Sequence, residues 1–228
     1  MPAMTLGASS IPGSGSQELD PPHDCGQCPR LAAFRAQWRA AEPSWFNGPV
    51  PTFTAQAPRL LVVGLAPGLR GANRTGRPFT GDYAGDLLYR MFDEFGLSEG
   101  TFAARPDDGL ILTKAALTNA VRCVPPENKP LPVEINTCRP FLVRTVAHYA
   151  GISAILALGK IAHDSVVRTF GGRLAAMPFR HGGKHLLKPG LALYDSYHCS
   201  RYNTNTGVLT PEMFRTVFQS MRDDGIFD

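Results

Sequence analysis

Four cysteines constrain the fold of this 228-residue chain more than any other feature. Cys25 and Cys28 form a C-x-x-C pair, whereas Cys123 and Cys138 follow more than ninety residues later. A C-x-x-C turn brings two thiols to one centre, but the distant pair reaches that centre only if a whole domain folds in between. This arrangement is typical of a tetrathiolate metal site, in zinc or iron–sulfur form.

Disulfides, reduced structural thiols and redox-active thiols are the alternatives to a metal site. Disulfides fit poorly, because no secretory hydrophobic region opens the sequence and the fifth cysteine, Cys199, would be left unpaired. The spacing favours a metal over the other two alternatives, but it does not distinguish zinc from an iron–sulfur cluster.

Length and composition predict a single domain. Hydrophobic residues make up 43% of the chain, which suffices for one substantial core, and no apolar run approaches a membrane span. Residues 1–22 are rich in Gly, Ser and Pro, so we expect a flexible tail there and one domain over residues 23–228. The net charge of +4 permits nucleic-acid binding without indicating it.

Short apolar runs alternate with helical patterns along this domain. The predicted strands are Arg59–Leu65, Ala115–Arg122, Ile152–Leu158 and Leu191–Tyr194. The predicted helices are Leu31–Ala41, Gly85–Phe95, Leu131–Tyr149 with a kink or break at Pro140, Lys160–Phe170, and Pro211–Met221. The runs RLLVVGL and ISAILAL are apolar throughout, as in strands that are buried on both faces. The alternation predicts an α/β sandwich around a mostly parallel sheet.

Polar loops follow three of the predicted strands, and ligands of parallel sheets bind outside the carboxyl ends of the strands. The first loop, GLAPGLRGANRTGRPFTGD (64–82), is rich in glycine but matches neither of the common phosphate-binding patterns. Its aromatic residue, Phe79, is either a core anchor for the loop or a platform on which a base stacks.

The second and third loops supply amides, hydroxyls and a histidine. LTNAVRCVPPENKP (117–130) holds Asn119, whose amide either reads an imide edge or caps a turn. SYHCSRYNTNTGVLTPEMF (196–214) holds His198, which has no acidic residue beside it in sequence. A purely structural role is the alternative for this histidine. We expect the three loops to converge on one cleft.

These motifs, in this order and with the four cysteines, closely resemble the iron–sulfur uracil-DNA glycosylases, and among them family five, the B-type enzymes. The resemblance covers roughly residues 23–222. It implies a three-layer α/β/α sandwich with a central, mostly parallel sheet. It also implies a four-iron, four-sulfur cluster held by Cys25, Cys28, Cys123 and Cys138, with Cys199 outside the ligand set.

The same resemblance implies a monofunctional DNA glycosylase of base excision repair. Such an enzyme flips uracil, and other deaminated bases such as hypoxanthine, out of DNA and hydrolyses the N-glycosidic bond. In this chemistry His198 would donate a hydrogen bond to the departing base, Asn119 would read its edge, and Phe79 would stack on its face. The backbone of Gly64, Leu65 and Ala66 would complete the base pocket.

Leu65 stands where other families carry a polar residue that handles the attacking water. Asn73 and Asp82 are therefore equal candidates for positioning the water, although Asp82 could instead be only a helix N-cap. Contacts to DNA are expected from the polar and basic residues of the loops: Arg74, Arg77, Arg122, Lys129, Ser200, Arg201 and Asn203.

We further expect a monomer that acts on DNA, without membrane association, in the cytoplasm and at the nucleoid. The cluster is expected to be a structural staple rather than an electron carrier. The alternative function is a damaged-DNA-binding protein that is stabilised by a metal cluster and leaves the base uncleaved.

Overall fold

A computed structural model of the protein describes residues 19–228. Its strands are β1 (Phe53–Thr54), β2 (Leu60–Gly64), β3 (Ser98–Glu99), β4 (Ile111–Leu112), β5 (Ala115–Asn119), β6 (Ala154–Leu158), β7 (Lys184–Lys188) and β8 (Leu191–Ser196). Its helices are α1 (Pro29–Ala41), α2 (Ala72–Thr75), α3 (Tyr83–Glu94), α4 (Pro132–His148), α5 (Lys160–Thr169), α6 (Arg201–Asn205) and α7 (Pro211–Asp223). The four predicted strands and five predicted helices are all present, with shifted ends.

Six of these strands form one sheet in the order β1-β5-β2-β6-β8-β7. The four central strands run parallel, and β1 and β7 are antiparallel at the two edges. Every residue of β2, β5 and β6 is buried, as is expected of parallel strands that are covered on both faces. The sheet is therefore mostly parallel, as predicted.

Alternate residues of β2 point into two different hydrophobic clusters. Leu60 and Val62 belong to a cluster with residues of α3 and α7, such as Phe92 and Phe218. Leu61 and Val63 belong to a second cluster that contains residues of α4 and α5. Helices thus cover both faces of the sheet, which confirms the three-layer α/β/α sandwich.

The structure corrects two predictions about the backbone in part. The exposed Pro140 lies inside α4, which continues through it without a break, whereas the alternative of a kink stays a prediction. The predicted tail is too long, because Asp20 accepts hydrogen bonds from Arg122 and Thr52 and so joins the folded domain. The remainder of that prediction, for residues 1–18, lies outside the described part of the chain.

The edge strand β7 was not predicted. Its residues alternate between exposed and half-buried positions, so its sequence, KHLLK, carries no long apolar run. No helix within residues 19–228 is long and apolar enough to cross a membrane.

Candidate active site

The loops after β2, β5 and β8 line one cleft at the carboxyl end of the sheet. Its volume is about 590 Å³, within the usual range for small-molecule sites. Eight of the residues singled out in the sequence line this cleft: Leu65, Ala66, Phe79, Asp82, Asn119, His198, Ser200 and Arg201. The expected convergence of the three loops is therefore observed.

Gly64 lies where the first two loops meet. It ends β2 directly beside Asn119, the last residue of β5. A Cβ atom on Gly64 would lie 2.4 Å from Asn119 Oδ1 and 2.6 Å from Phe79 Cζ. Only glycine lets the amide and the ring approach the strand so closely.

Phe79 belongs both to the hydrophobic core and to the wall of the cleft. Its φ of 53° lies in the left-handed region, which is costly for a bulky residue and persists only where the surroundings enforce it. The core contacts that enforce it also hold the ring at the cleft. Both interpretations of Phe79 from the sequence, anchor and platform, are thus compatible with its position.

His198 follows β8 and lines the cleft. Burial lowers the pKa of its imidazole to about 4, so the ring is neutral at neutral pH. Its backbone carbonyl accepts a hydrogen bond from Asn203 Nδ2 at 2.8 Å, which ties the loop to α6. A neutral imidazole in this position offers one N–H donor to a bound molecule.

Asp82, the last residue of the first loop, places a carboxylate at the cleft. It occupies the N-cap position of α3, and a Cβ atom on Gly71 would lie only 2.2 Å from its Oδ2. Burial raises the pKa of Asp82, and the amides of Ala84 and Gly85 offset part of this effect. Its Oδ1 is buried and finds no hydrogen-bond partner within the described residues. A buried carboxylate with a raised pKa at a cleft has the properties of an acid–base group.

Asn73 does not reach the cleft. Its side chain is completely buried, and its Nδ2 donates a hydrogen bond to Asn47 Oδ1 at 2.9 Å. Asn47 in turn donates to the carbonyls at the end of α1. The structure therefore gives Asn73 a role in fixing the loop and does not support it as the residue that positions water.

Arg77 was predicted to contact DNA, and the structure corrects this. The side chain is buried, and its guanidinium makes two hydrogen bonds of 2.7 Å to the Asp108 carboxylate. It also lies over the ring of Phe53, with 5.3 Å between Cζ and the ring centroid. Because both its charge and its donors are engaged inside the protein, Arg77 cannot neutralise a phosphate in this conformation.

Arg122 is the second misassigned arginine. It is 1% exposed, and its guanidinium donates to Asp20, Thr52 and Thr145 at 2.7–2.9 Å. The prediction that it contacts the DNA backbone is wrong, because no part of its charge faces solvent. Its partner Asp20 lies far away in sequence, so the loop alone did not indicate this burial.

The other predicted DNA contacts remain near the cleft. Arg74, Lys129 and Arg201 are exposed, and the guanidinium of Arg201 lies 5.4 Å from the ring centroid of Tyr83. Ser200 caps α6 by accepting a hydrogen bond from the Asn203 amide. Among the other residues that line the cleft, three with polar or aromatic side chains were missed in the sequence: Arg70, Tyr83 and Asn128. Arg70 lies within the glycine-rich loop, and its basic side chain there was the signal from which the sequence could have identified it.

The four predicted metal ligands meet at a separate small cavity. Cys25 and Cys28 precede α1, Cys123 follows β5, and Cys138 lies in α4, and all four line this cavity. All are free thiols in the structure. Four cysteine side chains around one enclosed space form a donor set that suits a tetrathiolate centre.

The surroundings of these cysteines carry positive charge. Burial raises the pKa of Cys28 to about 11 and that of Cys123 to about 12, whereas the cation of Arg35 opposes both shifts. The backbone N–H of Arg122 donates to Cys138 Sγ at 3.3 Å. Two buried arginines beside four thiols would offset the negative charge of a thiolate-bound metal centre, so the residues present fit such a group.

Comparison with known proteins identifies the class. Residues 51–222 match the family model of the Uracil DNA glycosylase superfamily, and this range includes all three loops of the cleft. The chain therefore belongs to the uracil-DNA glycosylase superfamily.

Within that superfamily, the chain resembles the type-5 proteins over most of its length. It is 45% identical over 204 residues to the type-5 uracil-DNA glycosylase of Thermus thermophilus, covering 87% of this chain and 92% of the relative. It is 40% identical over 227 residues to that of Mycobacterium leprae, covering 95% and 96%. It is 36% identical over 205 residues to that of Pyrobaculum aerophilum, covering 88% and 89%. The predicted resemblance to family five is confirmed.

Proposed function

We propose that the protein excises uracil from DNA by hydrolysing the bond between the base and its deoxyribose. The observation that carries this proposal is the convergence of a neutral imidazole, an amide and an aromatic ring on one cleft. The names of the type-5 relatives support the same substrate. The enzyme is thus a hydrolase of base excision repair, and extrusion of the nucleotide brings its base to this cleft.

Recognition of the flipped base falls to the side chains beside β2 and β5. Phe79 stacks on the base, a contact worth about 1–3 kcal/mol in comparable sites. Asn119 pairs with the imide edge, because its amide supplies one donor and one acceptor side by side. The close approach at Gly64 supports this pairing, since it fixes the amide against the strand end. The backbone of Leu65 and Ala66 lines the remaining wall.

His198 stabilises the departing base. Bond cleavage leaves negative charge on the base, and a preorganised N–H donor at that point typically contributes ~10²–10³ in rate. A depressed pKa favours this role, because the ring stays neutral and need not transfer its proton to act as a donor. Protonation of His198 is not required at any step.

Asp82 positions the water that attacks the sugar. The sequence left Asp82 and Asn73 equal, and the burial of Asn73 away from the cleft supports Asp82. An unpartnered buried oxygen on this carboxylate supports the role further, because it can accept a hydrogen bond from water. Leu65 contributes packing only.

The substrate range extends to other deaminated bases, including hypoxanthine. A cleft of about 590 Å³ leaves space for a purine, and small residues such as Ala66 and Gly68 form part of its wall. Phosphate contacts come from Arg74, Lys129 and Arg201. Backbone and side-chain groups of Ser200 and Asn203 assist them.

Cys25, Cys28, Cys123 and Cys138 hold a four-iron, four-sulfur cluster. When bound, the cluster supplies cross-links between the start of α1, the loop after β5 and the middle of α4. Residues 126–131, between Cys123 and Cys138, are half-buried or exposed and have little core of their own, which supports a structural role. The enzyme works as a monomer on chromosomal DNA, in the cytoplasm and at the nucleoid.

Incubation with duplexes that each carry one uracil or one hypoxanthine, followed by alkali, tests the activity. We expect strand breaks at the lesion only, because an abasic site is cleaved by alkali. Tight binding of the lesion without any alkali-sensitive product would favour the alternative, a damaged-DNA-binding protein. The His148→Gln variant, changed at an exposed position on α4, provides a control with unchanged activity.

A further inference from the structure

A second cluster of ligand-type side chains lies at the β8 edge of the sheet. His163 of α5, His185 of β7 and Asp195 of β8 each offer one ligand atom, and these atoms lie within 4.8 Å of one another. Asp195 is fully buried, and the side chains of His163 and His185 are 1% and 14% exposed. Neither the glycosylase cleft nor the cysteine site includes any of these residues.

Two atoms of this cluster are buried and lack a hydrogen-bond partner among residues 19–228: His185 Nε2 and Asp195 Oδ2. They lie 3.4 Å apart. Two ligands of a tetrahedral zinc ion at 2.0–2.1 Å from the metal would be about 3.3 Å apart. Two ligands of one metal ion direct their lone pairs at the ion and not at each other. This arrangement explains why His185 Nε2 and Asp195 Oδ2 lie close together without forming a hydrogen bond.

His163 is oriented as metal-bound histidines are. Its Nε2 lies 2.8 Å from the carbonyl oxygen of Met177 and therefore donates its proton there. A hydrogen bond of this kind, from the far ring nitrogen to a backbone carbonyl, fixes the ring and leaves Nδ1 to face the site. Nδ1 lies 2.7 Å from Asp195 Oδ1, so without a metal it carries a proton and pairs with the carboxylate.

An ion pair between His163 and Asp195 explains only half of the cluster. It satisfies one carboxylate oxygen and leaves the other buried at 3.4 Å from His185 Nε2, with no hydrogen bond to either atom among the described residues. Buried polar atoms without a hydrogen bond cost free energy. The backbone also holds Asp195 in place, through reciprocal bonds of 2.9 Å with Gly182 and Gly183. A cation between the unpartnered atoms removes this cost.

We propose that His163, His185 and Asp195 bind one divalent transition-metal ion of the Zn²⁺ type, in addition to the centre held by the cysteines. Two imidazoles and one carboxylate suit Zn²⁺ and its neighbours rather than Mg²⁺ or Ca²⁺. Binding releases the proton of His163 Nδ1 to solvent. The 14% of the His185 side chain that is exposed marks the side from which the ion enters. The bound ion links α5, β7 and β8 just before the loop that carries His198.

Titration of the full chain with Co²⁺ and Zn²⁺, after its cysteine centre has been loaded with iron, tests this proposal. We expect one further equivalent per chain, with visible cobalt bands and without the strong sulfur-to-cobalt absorption of thiolate ligation. Zn²⁺ at a hundredfold excess over its Kd should raise Tm by about 5–10 °C. No uptake at micromolar metal, or a thiolate spectrum, would overturn the proposal.

Two matched histidine variants make the test specific. His185→Gln should weaken metal binding by on the order of 100-fold while leaving the metal-free Tm nearly unchanged, because His185 Nε2 makes no hydrogen bond within the described chain. His148→Gln, on the exposed face of α4, should bind as the unaltered protein does. Equal binding by both variants would refute the assignment. Asp195→Asn is less suitable, since loss of the buried partner of His163 can unfold the protein.

Discussion

Replacing Asp82 by Asn separates catalysis from stability at one position. Asp82 occupies the N-cap position of α3, where its side chain makes no capping hydrogen bond, and it also lies at the cleft. A truncation to Ala would therefore alter the helix terminus and the cleft at once. Asn keeps the shape and the capping ability of Asp. If Asp82 positions the water and also accepts its proton, Asp82→Asn should lower the single-turnover rate of uracil excision by ~10²–10⁴, the usual contribution of a group that handles a proton.

The thermal stability of Asp82→Asn should stay equal or rise, whereas its excision rate falls. Burial raises the pKa of Asp82 above its ordinary value of 3.8, so the folded protein disfavours the ionised form. This penalty is fully present above the folded pKa and is relieved as the pH falls through that pKa. At pH 8, Asp82→Asn should therefore have an equal or higher Tm. If the residue were only a cap, Asp82→Ala would lose about 1 kcal/mol, or about 2–4 °C in Tm.

The pH profile supplies a third readout. The rate of the unaltered enzyme should fall with decreasing pH through a pKa above 3.8, and this acid limb should vanish from the residual rate of Asp82→Asn. Asp93→Asn, an exposed change near the end of the same helix, is the control, because the charge of Asp86 itself raises the pKa of Asp82. Full activity in Asp82→Asn, or an unchanged acid limb, would refute the reasoning.

Three further outcomes test the pocket, the cluster and the DNA surface. Gly64→Ala should reduce excision strongly while DNA affinity changes little, because the new Cβ overlaps the Asn119 amide and the Phe79 ring. A normal excision rate would show that this close approach is unnecessary. Cys123→Ala should lose iron in metal analysis, whereas Cys199→Ala should keep it, because the Cys199 thiol donates a hydrogen bond to the carbonyl of Ala84 elsewhere in the core. Iron loss in Cys199→Ala would overturn the ligand set. Arg201→Ala should reduce the slope of log affinity against log salt by about one, and an identical slope would remove this arginine from the DNA surface.

The elements that the sequence predicted are those whose own residues carry the signal. RLLVVGL and ISAILAL became the central strands β2 and β6, because an unbroken apolar run has no stable place except between two covered faces. Strand β7 was missed because it is a polar edge strand that pairs with β8. Its identity as a strand depends on that neighbour more than on its own pattern.

The site residues show the same contrast between local sequence signals and contacts with residues that are distant in sequence. Asn119 and His198 were found because one ends and the other closely follows a strand of a parallel sheet, where ligands bind. Arg77 and Arg122 were misassigned because a basic residue in a loop is normally exposed, and their burial depends on Asp108 and Asp20, which are distant in sequence. The sequence also left Asn73 equal to Asp82 as the residue that positions water, since the hydrogen bond of Asn73 to a residue before β1 is a tertiary contact that no local pattern reveals.

The most direct test of the account is the single-turnover rate of uracil excision by His198→Ala, measured with saturating enzyme alongside the Kd for the same duplex. The interaction grows only as charge develops on the departing base, so it should affect the transition state far more than binding. We expect a rate lower by ~10²-fold or more with a Kd changed by less than about twofold. An unchanged rate, or a loss of affinity that accounts for the whole effect, would contradict the assignment of this cleft as the active site.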